Sequence, residues 1–437
     1  MPVERAGLRL IRAGRVIDGL GGRPLENGAV LIDGSKIAAV GPSGSIVAPE
    51  GARVEVYDYP GRTVMPGMVD CHTHLNGLGC GFDGEDLGAL PDEVLTLQSA
   101  RNARACLFSG MTSVRDNGAK NSTTFHLRDA VTQGVAVGPR MVLCGRPITI
   151  IGGHMGYFGS EASGSVGVRA MTRTLIGEGA DYIKICATGG GTRTSLPLRP
   201  SFNVDELRAI TEEAHACDKL TATHCHSTQG IINSLDADVD MICHCWFKDA
   251  DGTDTFREDV AERIGVKGAY VNPTLHAERA MPWALQRKKE RHGLTPREQA
   301  LLDTTLRDFE VRLEHCSRLI DMGLKIITGS DASWGDYQLG NTVYEVECLA
   351  KAGYSAMEAL LSVTSEAAKS LGIDSITGTL EPGKQADIVV IDGDPTVRVS
   401  DLWNVTDVFL AGQQVDRGSS KSLAALRQWP PDSELRS

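Results

Sequence analysis

Hydrophobic and polar positions along this chain fall into two regimes. Residues 8–60 form short apolar runs broken by glycine: Leu8–Ile11, Arg15–Ile17, Gly28–Ile32, Lys36–Val40 and Arg53–Val56. Runs of this length bounded by turn residues predict strands, and Asp33-Gly34 between two of them predicts a hairpin. The same texture returns near the other end, in Gly383-Lys-Gln-Ala-Asp-Ile-Val-Val-Ile-Asp and in Val405–Leu410. The two ends are therefore expected to pair into one small β-sandwich domain, with 1–65 as its first part and 376–437 as its second. Residues 66–375 instead repeat apolar strand, loop and amphipathic helix. About eight such units predict an α/β fold, a TIM-like (β/α)8 barrel with a parallel sheet inside a ring of helices.

Two helices have clear boundaries. Asn203 precedes a helix expected over Val204–Lys219, with Leu207, Ile210 and Ala214 on one stripe and Glu206 in the capping-box position. Thr295-Pro-Arg-Glu298 opens another: a cap, proline at the first helical position and an acid in the first turn. That helix belongs to a long charged insertion, about 277–321, between the presumed seventh and eighth strands. On a barrel's catalytic face it serves either as a lid or substrate wall, or as a plain solvated excursion.

Composition narrows the partners. A net charge of −12 argues against nucleic acid or an anionic membrane, which both demand clustered cations. No run of about eighteen uncharged apolar residues is present, so no membrane span is expected. The first residues lack a secretory pattern. Eleven cysteines without paired spacing fit a reducing cytoplasm. A small-molecule substrate and a homo-oligomeric assembly are expected.

The chemistry concentrates where the apolar runs end. Val64-Met-Pro-Gly-Met-Val-Asp-Cys leads directly into His72-Thr-His74, and residues two apart in a strand share a face. Two imidazoles on one strand end make a pre-aligned metal pair. Lys184 lies in the strand-like Ala180-Asp-Tyr-Ile-Lys-Ile-Cys-Ala, where a buried ammonium is costly unless paired or chemically altered. Reaction with CO2 would give a carbamate that bridges two cations; the ordinary alternative is a lysine reaching a carboxylate. Leu220-Thr-Ala-Thr-His-Cys-His offers His224 as ligand, with His226 as a turn residue or substrate contact. Val239-Asp-Met-Ile-Cys-His adds His244. Cys225, Cys243 and Cys245 are expected to pack on the face opposite the histidines. Asp331 closes Lys325-Ile-Ile-Thr-Gly-Ser, where a carboxylate beside metal-bound water can carry its proton. His154, in a glycine-rich loop, is a candidate for polarising a substrate carbonyl. Tyr157, Arg193 and His276 are further candidates for the pocket, and Arg115 either binds a carboxylate or, the favoured reading, braces the strands.

Taken together, Val64 to His74, Lys184, His224, His244, Thr328-Gly-Ser-Asp331 and Gly383 to Asp392 resemble the amidohydrolase superfamily over nearly the whole chain. The loop at Gly152-Gly-His154 and the His224-Cys-His226 motif look like the branch of Xaa-Pro dipeptidases, ochratoxin-type amidases and molinate or phenylurea hydrolases. The resemblance implies two divalent ions, and imidazole, carbamate and carboxylate ligands suit zinc, with manganese or cobalt as alternatives. It gives His72 and His74 to the more buried ion, His224 and His244 to the more exposed one, a carbamate on Lys184 as bridge, and Asp331 as ligand and base. The expected reaction is hydrolysis of an amide, dipeptide, carbamate or urea C–N bond. Met155-Gly-Tyr departs from the dipeptidase pattern, where another glycine is usual. A cyclic-amide or lactone hydrolase, a deaminase of the same fold and a non-catalytic binding protein are the rivals.

Overall fold

The computed structural model describes residues 7–47, 49–79, 84–332 and 337–418. The leading residues and the tail after Ser419, on which the sequence also carried expectations, lie outside the described residues. Fourteen strands are present among them. Seven build one mixed sheet in the order β14-β13-β12-β4-β1-β2-β3. Its members are β1 (Leu8–Val16), β2 (Leu25–Asp33), β3 (Lys36–Pro42), β4 (Val54–Pro66), β12 (Ile388–Ile391), β13 (Val405–Leu410) and β14 (Gln413–Gln414). Segments from both ends meet where β12 runs antiparallel to β4, with Val390 opposite Val64. All seven share a single sheet rather than two stacked ones. The two runs expected on either side of Gly14 are one strand. A side chain on Gly14 would come within 2.8 Å of the Gly61 backbone, and the register shifts at this point, so the glycine accommodates a bulge instead of ending the strand.

The remaining strands are all parallel. β5 (Met68–Thr73), β6 (Met111–Asp116) and β7 (Arg140–Leu143) form one set. β8 (Ile183–Cys186), β9 (Thr221–His224), β10 (Met241–Cys243) and β11 (Tyr270–Asn272) form another. Ile148 bridges in parallel to Ile185 of β8. The 325–332 segment bonds to β11 on one side, Val271 N to Lys325 O at 2.8 Å, and to β5 on the other, Cys71 N to Thr328 O at 3.1 Å. Val69, Val142, Tyr182, Ala222, Met241 and Ile327 form one buried apolar cluster drawn from these segments. Arg115 braces them: its Nε donates to Cys71 O at 2.8 Å, and its guanidinium lies 4.8 Å from the Tyr182 ring centre.

The helix opened by Asn203 carries its full capping box and buries Leu207, Ile210 and Ala214, but spans only Val204–His215. It stops early because Asp218 turns into the left-handed region (φ 55°), letting Lys219 N return to Ala214 O at 2.9 Å. The insertion forms two helices, Leu275–His292 and Pro296–Asp321. The second has its capping box at Thr295 and Glu298, and its later turns bury Phe309, Leu313, Cys316 and Leu319. The insertion is therefore anchored in the core along one stripe rather than solvated throughout. Among the described residues no helix is long and apolar enough to cross a membrane.

Candidate metal centre

Strand ends and the turns after them assemble the site. His72 and His74, both buried, project together from the end of β5, and their Nε2 atoms stand 3.2 and 3.1 Å from Asp331 Oδ1. Asp331 holds a left-handed backbone (φ 55°), fixed by its N–H donating to His72 O at 2.7 Å. Gly329, two residues before it, has no room for a side chain: a Cβ there would lie 2.7 Å from the Asn272 amide and 2.8 Å from His72 Cβ. Donor atoms of His72, His244 and Asp331 lie within 4.8 Å of one another, and so do those of His224, His226 and His244. His244 belongs to both groups, so they are contiguous.

Each of five histidines has one ring nitrogen engaged outside the cluster. His74 Nδ1 meets Gly118 O at 3.3 Å and His224 Nε2 meets Gly189 O at 3.1 Å. A carbonyl can only accept, so those nitrogens carry protons and leave the other lone pair facing inward. His72 Nδ1 meets Asn272 Oδ1 at 2.8 Å; the Asn272 amide nitrogen donates to Ile327 O and Gly329 O, which fixes its orientation. His244 Nδ1 meets Thr274 Oγ1 at 2.8 Å, and His154 Nδ1 meets Thr192 Oγ1 at 3.1 Å. Burial, reinforced by neighbouring cationic groups, holds His72, His224, His226 and His244 well below the usual imidazole range and brings His154 to about 3. Neutral imidazoles are what a metal ion requires.

Lys184 is buried on β8. Its Nζ donates to Asn117 Oδ1 at 3.0 Å and approaches Cys243 Sγ at 3.4 Å. This corrects the expectation for Cys243, which faces the lysine and not the opposite side. Strict alternation ends with β10 at Cys243, because His244 (φ 65°) and Cys245 (φ 56°) are both left-handed.

The remaining candidates separate. His154 joins the cluster, its ring centre 4.5 Å from that of His224, and Gly190 is glycine because a Cβ would lie 2.6 Å from the His154 ring. His226 lies 4.0 Å from His224 and 4.7 Å from His244, centre to centre. Tyr157 is half-buried beside Gly84, and burial pushes its hydroxyl up, with a hydrogen bond to Thr192 opposing the rise. Arg193 is exposed, with its backbone N–H bound to Glu85. His276 is not brought to the histidines. It is fully buried, accepts from Arg279 Nε at 3.0 Å and stacks on Tyr344 at 4.6 Å. The left-handed turn at Thr274 starts a helix that carries it into this aromatic cluster.

The sequence pattern did not single out Asn117, Thr192, Asn272 and Thr274, which hydrogen-bond the clustered side chains, or Trp246 and Glu278, which border them. Asn272 had a signal, a polar residue ending an apolar run as the histidines do. Glu278 is half-buried and pushed up to about 7 by burial, with Arg312 opposing the rise and the charge of Asp331 adding to it.

Residues 63–415 match the sequence profile described as the Amidohydrolase family. An ochratoxinase from Aspergillus niger is 27% identical over 427 residues, covering 90% of this chain and 82% of that protein. An imidazolonepropionase from Geobacillus kaustophilus is 23% identical over 397 residues, 84% of each. The crystal structure of a Xaa-Pro dipeptidase with bound methionine superposes with a TM-score of 0.80 at 25% identity, over 94% of this chain and all of that one.

Proposed function

The chain belongs to the amidohydrolase family, and from that premise we propose that the strand-end cluster is a binuclear metal centre. The protein is a metal-dependent hydrolase of amide-type carbon–nitrogen bonds. The observation that carries the site reading is the pair of donor groups joined through His244, each imidazole neutral and most of them aimed by a hydrogen bond on the far nitrogen. His72, His74 and Asp331 would hold the more buried ion, and His224 and His244 the more exposed one. A carbamate on Lys184 would lie between them. Among the described residues no carboxylate comes within 4.0 Å of Lys184 Nζ, and Asn117 Oδ1 accepts the kind of N–H that a carbamate retains. Imidazole and carboxylate donors suit zinc, with manganese or cobalt as substitutes.

Bound there, a pair of divalent ions supplies Lewis acidity and a water acidified to near neutrality. The residues do the rest. Asp331 reaches both β5 histidines, takes the proton of the attacking water and returns it to the departing nitrogen. Thr192 Oγ1 already accepts Met155 N–H at 3.0 Å, so its own proton can go to His154 Nδ1. His154 then offers Nε2–H to the substrate carbonyl. The parallel strands, with the bridges at Ile148 and Val271, support a closed eight-strand barrel around this site. Buried unpaired thiols such as Cys71, Cys225 and Cys243 support a reducing, cytoplasmic setting.

The similarity to a Xaa-Pro dipeptidase and an ochratoxinase points to a linear amide, and that to an imidazolonepropionase keeps a cyclic amide as the second reading. Zinc-reconstituted protein should be screened against Xaa-Pro dipeptides, N-acyl amino acids, aryl amides, cyclic amides, carbamates and phenylureas. Cleavage of the acyl–nitrogen bond is expected. Ammonia release without acyl cleavage would overturn the reaction class.

A further inference from the structure

His226 is held differently from its neighbours. His72, His74, His154, His224 and His244 each have a ring nitrogen in a hydrogen bond, whereas the His226 ring has none among the described residues; its backbone N–H alone is tied, to Thr188 Oγ1 at 3.0 Å. Its plane is set by stacking. The Trp246 indole lies 3.7 Å away, centre to centre, and only 4° from parallel.

The Trp246 indole in turn has no polar anchor among the described residues, since its buried Nε1 makes no hydrogen bond there. What lies against it besides His226 is the Arg312 guanidinium, 4.4 Å from the indole centre. Arg312 is 5% exposed and clamped on Asp254 by both Nη atoms, at 2.9 and 2.6 Å. A bidentate carboxylate partner fixes a guanidinium plane as a single contact does not. Rigidity thus passes from the Pro296–Asp321 insertion helix through Arg312 and Trp246 to an imidazole 4.0 Å from the His224 ring.

We infer that Arg312 and Trp246 are positioning residues that fix the plane of His226 over the His224 and His244 side of the site. The insertion thereby acts on substrate binding without touching substrate. This rests on the proposed reading of the site, and takes His226, which stands in the second donor group, as a substrate contact and not as a ligand.

The test has two arms on the full chain. In the first, the emission of Trp246 is isolated by subtracting Trp246→Phe, and metal-free protein is titrated with zinc. The isolated emission should change on zinc addition and shift in both His226→Ala and Arg312→Met. If it is the same in all three proteins, the stack does not exist. The second arm uses zinc-loaded protein and the substrate found in the screen. Arg312→Met and Trp246→Leu should each lower kcat/KM by about ten- to a hundred-fold, mostly through KM, with bound zinc unchanged. Trp246→Phe, which keeps an aromatic plane, should recover most of the loss. In a His226→Ala background Arg312→Met should cost nothing more. Equal losses with and without His226, or loss of zinc, would overturn the proposal. Should Arg312→Met fail to fold, Arg312→Lys keeps the charge, loses the bidentate clamp and should give the same pattern. If no substrate is turned over, the hydrolase reading is what fails, and the emission arm still decides the stack.

Discussion

Asp331 combines a left-handed backbone with contacts to two histidines, and only a short polar residue tolerates that conformation at modest cost. Asparagine is among the residues that do, so Asp331→Asn should keep the fold and bound metal while lowering kcat by about a thousand-fold or more. Metal analysis beside a rate measurement checks both halves; retained turnover would remove Asp331 from the proton path. Asn272 lies outside the donor groups yet aims His72, so Asn272→Ala should weaken metal binding by about ten- to a hundred-fold, read by chelator competition. The clustered side chains were legible because the histidines and Asp331 end apolar runs and Lys184 sits inside one, positions where burial disfavours a polar group. Their supports were not, since Thr192, Gly118 and Gly189 serve through one hydroxyl and two carbonyls that no composition marks. Gly329 and Gly190 likewise show their reason only when the side chains they make room for are in place.

At the scale of elements, sequence periodicity located the helix at Val204 and the capping box at Thr295, because caps are local chemistry. Thr295→Ala removes the hydroxyl that accepts Glu298 N–H and should cost about 1 kcal/mol in urea unfolding, with activity kept. Where periodicity failed, the pleat itself had ended. Cys243 was assigned a face by alternation that stops one residue later, at a left-handed histidine. His276 was counted as a pocket candidate, but the turn at Thr274 starts a helix that carries it into the aromatic cluster. Alternation is sound inside a strand, but Cys243 is the last residue of one and His276 lies beyond one.

For the molecule as a whole, the α/β class followed from the repeated strand–helix pattern and the pairing of the two chain ends from the returning strand texture, but that all seven strands share one sheet, with β4 between β1 and β12, required the partners to be seen. Stability should carry the mark of Glu345, fully buried where it accepts the first two amides of the Leu275–His292 helix. Burial pushes its carboxyl up to about 8. A group whose pKa is raised by folding contributes its full stability below the unfolded value, about 4.5, and loses it as pH rises through 8. Wild-type protein should therefore lose roughly 2–4 kcal/mol relative to Glu345→Gln between pH 5 and 8. Urea unfolding across that range measures it, and a constant difference would contradict the assignment.

β4 pairs with β1 on one edge and with β12 on the other, and some 320 residues separate the end of β4 from β12. At ordinary ribosome speeds that gap lasts some tens of seconds, during which the second edge of β4 waits bare on the nascent chain. An unpaired strand edge invites other chains, so slow or crowded translation should send this polypeptide into inclusion bodies before its catalytic half is at fault. Supplying the β12 segment early, by circular permutation, should relieve it.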